Sequence, residues 1–195
     1  MFTILPIKGY FDQIDGFFCD GIHAGLKPNG NNDLGFIYSD KACTVAAIFT
    51  ENKFQAAPLK HFLEYAEDFK TNFVLINSKN ANALTGRKGI ADINTLFSQL
   101  DFGSLKLVNP IMSSTGVIGN RLPMEKLVAG AKRFNLNAKS GENLSKAIMT
   151  TDAYPKSCMY EVKLEDGSSF KIGAVAKGAG MINPNLATML CFICT

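Results

Sequence analysis

Short apolar segments separated by polar loops characterise the first part of the chain and predict a β-rich beginning. The segments Gly16–Gly21, Leu34–Ser39 and Val45–Thr50 have the length of strands, and the Pro-, Gly- and Asn-rich stretch Lys27–Asp33 is a strong loop signal. Asn72–Asn77 is apolar without alternation, which is typical of a strand covered on both faces. These segments are the first predicted strands.

Four further segments have the period of an amphipathic helix. A proline stands at the start of two of them, where proline favours the first helical turn. The helix predicted over Ile90–Leu100 is expected to end near Gly103, because glycine often follows a helix. The predicted helices are Leu59–Phe69, Ile90–Leu100, Pro123–Phe134 and Glu142–Met149.

The remaining pattern predicts a strand over Leu105–Met112 and a β-hairpin near the end of the chain. Apolar and polar residues alternate over Tyr160–Leu164 and again over Phe170–Ala176, with Asp166-Gly167 as the turn between them. Helices interleaved with mixed strands predict the α+β class, with helices packed in layers on a mixed sheet.

Composition and charge exclude several classes of function. A length of 195 residues, of which 47% are hydrophobic and 19% charged, is ordinary for a globular chain with a sizeable core. The formal net charge is +3, and basic residues form no tract longer than pairs such as Lys132-Arg133, so no nucleic-acid partner is expected. No apolar run approaches the roughly 20 residues that span a bilayer, so no membrane partner is expected either.

The cysteines indicate a reducing compartment. Cys19, Cys43, Cys158, Cys191 and Cys194 are odd in number and irregularly spaced, and the first residues lack the features of a secretory signal. We therefore expect a cytoplasmic location. Cys191 and Cys194 form a C-x-x-C inside an apolar run, where free cysteines behave as small core hydrophobes. With only two histidines in the chain, no metal site is predicted.

The stretch Lys177–Leu190 carries a candidate nucleophile, Thr188. Two glycines and Pro184 before it favour a tight loop, from which Thr188 would enter a buried element directly. Its hydroxyl could attack the carbonyl of Ala187, and cleavage there would give Thr188 a free α-amine. Such an amine has a pKa of roughly 7.7–8.0 and suits a base near neutral pH. The alternative is a Gly-rich loop that only leads into a strand.

Three more sites could bring chemistry to this nucleophile. Gly116 can turn its amide outward and Thr115 adds a hydroxyl, so the pair could supply two donors to an oxyanion; a Ser/Thr-rich turn is the alternative. Lys177 directly follows the second strand of the predicted hairpin, where a cation could meet a substrate carboxylate or a developing negative charge, unless it merely extends into water. The Asn-rich loop Ser78–Thr85 offers amides to a polar ligand, or else bonds its own backbone as a turn.

Five blocks of sequence, in order, resemble the ornithine acetyltransferase family, the bifunctional enzymes of arginine biosynthesis. Together they span nearly the whole chain, which argues against chance similarity. Lys79 and Leu84 depart from the family pattern, which leads us to expect Gly and Cys at these positions. The blocks are Ala46–Pro58, Asn77–Gly86, Ser114–Gly119, Met149–Lys156 and Lys177–Leu190.

The resemblance implies an acetyltransferase that cuts itself between Ala187 and Thr188. The freed Thr188 would take the acetyl group of N2-acetyl-L-ornithine as an acetyl-threonine and pass it to L-glutamate. It would thus be the catalytic nucleophile and would also contact the substrate. By the same resemblance, the oxyanion would be held by Thr115 and Gly116, and the amino-acid substrate by Thr151 and Lys177.

The resemblance also implies a helix-on-sheet sandwich built from the two chains of one cut precursor. Residues 1–187 would be the α-chain portion and residues 188–195 the start of a truncated β chain, in an α2β2 heterotetramer. No bound cofactor is implied, although acetyl-CoA could also serve as acetyl donor. Two alternatives stay open: a self-processing amidase or aminopeptidase in which water takes the acyl group, and an inactive fragment that only binds its partner half.

Overall fold

The structure, a computed structural model, describes residues 2–178 and 189–195, and these form eight strands and four α-helices. A short 3₁₀ helix also covers Phe11–Gln13. The strands are β1 (Phe2–Pro6), β2 (Phe17–Ile22), β3 (Leu34–Thr44), β4 (Lys70–Asn77), β5 (Ile111–Ser114), β6 (Lys156–Leu164), β7 (Ser169–Lys177) and β8 (Leu190–Cys194). The helices are α1 (Ala57–Phe62), α2 (Gly86–Ser98), α3 (Met124–Ala131) and α4 (Gly141–Ala147).

The strands form two four-stranded sheets. One has the order β1-β6-β7-β8, and each pair of adjacent strands in it is antiparallel. The other has the order β2-β3-β4-β5, in which β4 and β5 are parallel and the other pairs antiparallel. The predicted α+β class with a mixed sheet is therefore confirmed.

The β2–β5 sheet is buried on both faces, which explains the unbroken apolar run of β4. Phe73 and Leu75 belong to a core cluster that includes side chains of α1, α2 and α3. Ile76 belongs to a second cluster, together with Met159 and Val175 of the other sheet and residues of α4. The molecule is thus layered, with α1, α2 and α3 on one face of this sheet and α4 and the β1–β8 sheet on the other.

The predicted hairpin and the four helices are confirmed, with different boundaries. The hairpin strands are β6 and β7, and Gly167 supplies the positive φ of the turn, +85°. The largest difference is in α1, which ends at Phe62 instead of Phe69. The apolar residues beyond its end form an aromatic cluster, with the ring of Phe69 5.1 Å from that of Phe62 and 4.7 Å from that of Tyr65.

The prediction of a strand over Val45–Thr50 is wrong. β3 ends at Thr44, and the following residues pair with no strand among those described. Ile48 is 88% exposed, whereas the ring of Phe49 packs against that of Phe62 at 5.0 Å. Of the residues that suggest a strand here, Phe49 makes a contact with α1 instead.

The strand predicted over Leu105–Met112 is also wrong in extent, since β5 begins only at Ile111. Asn109 has a φ of +40° and Pro110 has no N–H to donate, so neither can continue a ladder. The sequence patterns missed β1 altogether. It is an edge strand that pairs with β6.

Candidate active site

Thr115 and Gly116 directly follow β5, at the edge of the sheet where β4 also ends. Because the two strands are parallel, the loops that follow them lie side by side. The N–H of Thr115 donates to the carbonyl oxygen of Asn77 at 3.0 Å, and the N–H of Val117 donates to that of Lys79 at 2.9 Å. Backbone hydrogen bonds on both sides of Gly116 therefore fix the predicted oxyanion pair.

Only glycine fits at position 116. Gly116 has a φ of +133°, and a Cβ there would lie 2.2 Å from the carbonyl carbon of Lys79. Within residues 2–178 and 189–195, its N–H donates to no acceptor. This amide is therefore available for a hydrogen bond beside the hydroxyl of Thr115, which is itself only 1% exposed.

The Asn-rich loop after β4 uses its amide groups to build this platform. The Nδ2 atom of Asn77 donates to the carbonyl oxygen of Asn80 at 2.8 Å, and that of Asn80 to the carbonyl oxygen of Arg121 at 2.9 Å. The Nδ2 atom of Asn82 donates to the carbonyl oxygen of Gly89 at 3.1 Å. Of the two interpretations of this loop, its hydrogen bonds favour the structural one.

The two positions where the chain departs from the family pattern share an unusual backbone. Lys79 has a φ of +79° and Leu84 a φ of +57°. This left-handed region favours glycine, the residue that the resemblance leads us to expect at position 79. The departure at Lys79 therefore keeps the backbone conformation at a conformational cost and leaves its contact with Gly116 in place.

Lys177 is the last residue of β7, and its side chain is buried against Thr115. Its Nζ atom donates to the Oγ1 atom of Thr115 at 3.1 Å and to the Oγ1 atom of Thr150 at 2.6 Å. Lys177 is 4% exposed. The alternative of a strand-end lysine that extends into water is therefore wrong.

Asp152, which the sequence patterns did not single out, lies at the centre of the polar network around Lys177. Its side chain is fully buried, and its Oδ2 atom lies 4.0 Å from the Nζ atom of Lys177. Burial alone would raise the pKa of this carboxyl, but hydrogen bonds from Lys156 and from the N–H groups of Gly178 and Thr150 lower it to about 2. Asp152 is therefore an anion at neutral pH.

The carboxyl end of α4 positions the segment that contains Thr150 and Asp152. The Oγ atom of Ser78 donates to the carbonyl oxygen of Ala147 at 2.7 Å, which satisfies a group that the helix leaves unpaired. Leu144 and Ile148 anchor the same helix end in the core. The chain then turns so that Thr150 and Asp152 face Lys177. In the sequence, the only indication of these polar residues is the short Thr-Thr-Asp run directly after the predicted helix.

Thr151, the residue that the resemblance assigns to substrate binding, is exposed and stands between the two residues that contact Lys177. The structure thus brings Thr115, Gly116 and Lys177 together and places Thr151 beside them without a hydrogen bond to the group. Its role stays a prediction.

The pKa of Lys177 is set by opposing influences. Burial lowers it, the Asp152 carboxylate raises it, and the Lys156 ammonium lowers it. Lys27, also missed in the sequence, belongs to the same neighbourhood. Burial lowers its pKa, Asp33 and Asp152 raise it, and the charge of Lys177 lowers it.

Ala187 and Thr188 lie outside the described residues, so their predicted roles stay predictions. The residues on either side of this segment are described. Lys177 pairs with Leu190 in the antiparallel β7–β8 ladder. A Cβ on Gly178 would lie 3.3 Å from the Cγ atom of Met189. The chain therefore leaves the sheet and returns to it beside Lys177.

Comparison with known proteins assigns the family. The family model described as the ArgJ family matches residues 18–195, more than half of the chain. The chain belongs to the ArgJ family. The resemblance drawn from the five sequence blocks is thereby confirmed.

Curated relatives of the ArgJ family are similar over the whole chain. The arginine biosynthesis bifunctional protein ArgJ of Wolinella succinogenes is 53% identical over 195 residues, which are 100% of this chain and 49% of that protein. The protein of the same description from Oceanobacillus iheyensis is 41% identical over 96% of this chain and 46% of its own length. The chain spans about half the length of the curated relatives it matches.

Solved structures from the family have the same fold. A crystal structure of the ArgJ protein of Bacillus halodurans has a TM-score of 0.85 and 34% identity, over 97% of this chain and 99% of that chain. An ornithine acetyltransferase of Mycobacterium tuberculosis, solved in complex with ornithine, has a TM-score of 0.79 and 31% identity, over 95% and 100%. The helix-on-sheet sandwich that the resemblance implies is confirmed.

Two features are absent from residues 2–178 and 189–195. None of the helices there has the length and apolar character needed to cross a membrane. The same residues contain no group of three or more His, Cys, Asp or Glu side chains placed to hold a metal ion.

Proposed function

We propose that this chain is the first part of a self-processing acetyltransferase, which moves an acetyl group from N2-acetyl-L-ornithine to L-glutamate. The observation that carries the proposal is the hydrogen bond from Lys177 to Thr115 at 3.1 Å. It places a buried cation and a hydroxyl together, next to Gly116, where the chain enters the segment that holds Thr188.

The three residues fit the stabilisation of an oxyanion. Because the Thr115 oxygen accepts a hydrogen bond from Lys177, its own proton is free to be donated to a substrate oxygen. The N–H of Gly116 is the second donor, and the Lys177 charge favours the negative charge of a tetrahedral intermediate. Lys177 has three donors, and Thr115 and Thr150 take two of them, which leaves one for a substrate oxygen.

The same site would first cut the chain. The hydroxyl oxygen of Thr188 attacks the carbonyl carbon of Ala187, the peptide C–N bond breaks, and the nitrogen takes up the hydroxyl proton. Water then hydrolyses the resulting ester, which leaves a carboxylate on Ala187 and a free α-amine and hydroxyl on Thr188. Both steps pass through a tetrahedral intermediate with a negative oxygen.

Acetyl transfer would follow in two steps at the freed Thr188. Its α-amine takes the hydroxyl proton while the oxygen attacks the acetyl carbonyl, and ornithine leaves with a protonated amine. The amine of glutamate then attacks the acetyl-threonine ester and regenerates the hydroxyl. Acetyl-CoA could donate to the same hydroxyl without a bound cofactor.

The lengths of the relatives support a cut at this position. The curated relatives are about twice as long as this chain, which covers 49% and 46% of them. The two solved chains are instead matched over 99% and 100% of their lengths. Solved chains of the family therefore have about the extent of this one.

An apolar sheet face supports a partner that completes the fold. Residues paired across β1, β6, β7 and β8 share a face of the sheet, and the face opposite the core carries exposed apolar side chains. They are Phe2, Ile4, Tyr160, Leu164, Phe170 and Ile193. We propose that the second half of the protein, the missing β chain, covers this face in an α2β2 assembly.

Substrate contacts and location complete the proposal. Thr151 is exposed next to Thr150 and is therefore open to a ligand, which supports its assignment to ornithine or glutamate binding. All five cysteines are free, which supports a cytoplasmic location.

The test is acetyl transfer by this chain co-expressed with the second half that its relatives carry. N2-acetyl-L-ornithine and L-glutamate are supplied, and both N-acetylglutamate and free acetate are measured. We expect N-acetylglutamate to form at the expense of N-acetylornithine. Acetate release that does not depend on glutamate would instead identify an amidase and overturn the proposal.

A further inference from the structure

We propose that Asp152 is the positioning residue of this site, which holds the Lys177 ammonium against Thr115 and fixes Gly178 at the entrance to the 179–188 segment. The inference rests on the proposed function, because it assigns Lys177 and Thr115 to the oxyanion site. Asp152 does not contact Thr115, so any effect on the reaction must pass through Lys177 or Gly178.

The two carboxylate oxygens of Asp152 have separate partners. Oδ1 accepts hydrogen bonds from the Nζ atom of Lys156 at 2.7 Å and from the N–H of Gly178 at 2.8 Å. Oδ2 accepts one from the N–H of Thr150 at 3.1 Å and lies 4.0 Å from the Nζ atom of Lys177. A fully buried carboxylate with these partners has a fixed orientation, unlike a surface ion pair.

These contacts fix Lys177 in two ways. Asp152 holds the backbone of Thr150, whose hydroxyl oxygen accepts the shorter hydrogen bond of Lys177. Asp152 also holds Gly178, the residue after Lys177, in a conformation with a φ of +154°. One carboxylate thus determines both the direction of the Lys177 side chain and the path of the next residue.

The charge of Asp152 also favours the protonated form of Lys177. Among residues 2–178 and 189–195, the titratable groups that act on Lys177 are Asp152 and Lys156, and the charge of Lys177 in turn acts on Lys27. Burial lowers the pKa of Lys177 and Asp152 raises it, so removal of the carboxylate charge must lower that pKa further. Lys156 lowers the pKa of Lys177, so removal of Lys156 must raise it.

The two substitutions are expected to shift the pKa of Lys177 in opposite directions, which distinguishes a positioning role of Asp152 from general structural support. We compare Asp152→Asn with Lys156→Met in the co-expressed, assembled protein and measure kcat against pH. For Asp152→Asn we expect the alkaline decline of kcat to move to lower pH, with a loss of up to about 10²-fold above neutrality, the order expected for one oxyanion donor. For Lys156→Met we expect the alkaline decline to move to higher pH.

A purely structural role gives another pattern. Each variant would then lower kcat by a factor that does not change with pH. An alkaline decline that stays at the same pH in both variants would overturn the inference. If Asp152→Asn does not fold, Lys156→Met decides alone. A decline that stays in place or moves to lower pH in Lys156→Met would contradict the assignment.

A second measurement does not depend on activity. The side chain of Lys177 is titrated by NMR through its 13Cε resonance in the assembled wild type and in both variants. We expect a lower pKa in Asp152→Asn and a higher one in Lys156→Met than in the wild type. If these shifts occur in a protein that does not transfer acetyl groups, the proposed function is wrong and the Asp152–Lys177 linkage stands. If acetyl transfer occurs but the pKa of Lys177 does not shift, the proposed function stands and the Asp152–Lys177 linkage is wrong.

Discussion

The ammonium nitrogen of Lys177 lies 3.1 Å from the hydroxyl oxygen of Thr115, although the two residues are 62 positions apart in the chain. Lys177 ends β7 in one sheet, and Thr115 follows β5 in the other. The contact therefore joins the end of a strand in one sheet to the end of a strand in the other. It also supports the proposed role of Lys177 at the oxyanion, in addition to the substrate binding that the resemblance implies.

The first prediction concerns the hydroxyl of Thr115. Thr115→Val keeps the shape of the side chain but removes a donor that acts as negative charge develops, so kcat should fall on the order of 10²- to 10³-fold with little change in KM. Thr115→Ser should retain most of the activity. Steady-state kinetics on the assembled enzyme measure both values. Thr95→Val, on the exposed face of α2, is the matched control, and a Thr115→Val kcat equal to that of the control would remove Thr115 from the site.

The second prediction separates two roles of Lys177. If Lys177 bound only the substrate carboxylate, Lys177→Met would mainly raise KM. Because its ammonium also orients the Thr115 hydroxyl, we expect kcat to fall as well, and the double variant with Thr115→Val to lose less than the product of the two single losses. A double-mutant cycle on kcat provides the measurement. Independent, multiplicative losses would show that the two residues do not act together.

The third prediction concerns the backbone at Gly116. Gly116→Ala places a methyl group against the Lys79 carbonyl and demands a strained φ, whereas Gly119→Ala, at a φ of +83°, has open space within 4 Å of the new Cβ. Strain of this kind costs about 1–3 kcal/mol, and the clash at position 116 adds to it. Thermal unfolding and kcat are measured for both. We expect Gly116→Ala to be the less stable of the two and to lose activity, and equal effects would contradict the close approach.

The fourth prediction concerns this chain in isolation, without the second half that its relatives carry. The exposed apolar face of the β1–β8 sheet and the unpaired edge of β8 should make the isolated chain self-associate and lack acetyltransferase activity. Ile193, which is 67% exposed, stands on that face. Sedimentation analysis should show association in the wild-type chain and less of it in Ile193→Lys. A monomeric chain with full turnover would mean that the described residues need no cover.

Much of the fold follows from local patterns, and the failures have specific physical causes. Alternation and an Asp-Gly turn predict the β6–β7 hairpin, and an unbroken apolar run predicts β4, because each pattern reflects which faces the strand buries. Val45–Thr50 has strand composition but packs its Phe49 ring on α1, which no local pattern reveals.

The site was predictable only where a motif stands in the sequence. Thr115, Gly116 and Lys177 belong to blocks that resemble the family, and the structure brings them together. Asp152 is not predictable in this way, because its contacts with Lys177 and Gly178 join it to the distant end of β7. A buried carboxylate network depends on tertiary packing, which spacing along the chain does not encode.

The central claim is that Thr188 becomes an amino-terminal nucleophile, and one mass measurement tests it most directly. The complete precursor is purified, incubated with N2-acetyl-L-ornithine in the absence of glutamate, and analysed by intact mass and amino-terminal sequencing. We predict a cut between Ala187 and Thr188, and one acetyl group on the side chain of Thr188 that disappears when glutamate is added. Thr188→Ser should retain some cleavage because it keeps the hydroxyl, and Thr188→Ala should show none. A Thr188→Ala precursor that still yields a chain beginning at residue 188, or an acetyl group attached elsewhere, would contradict the claim.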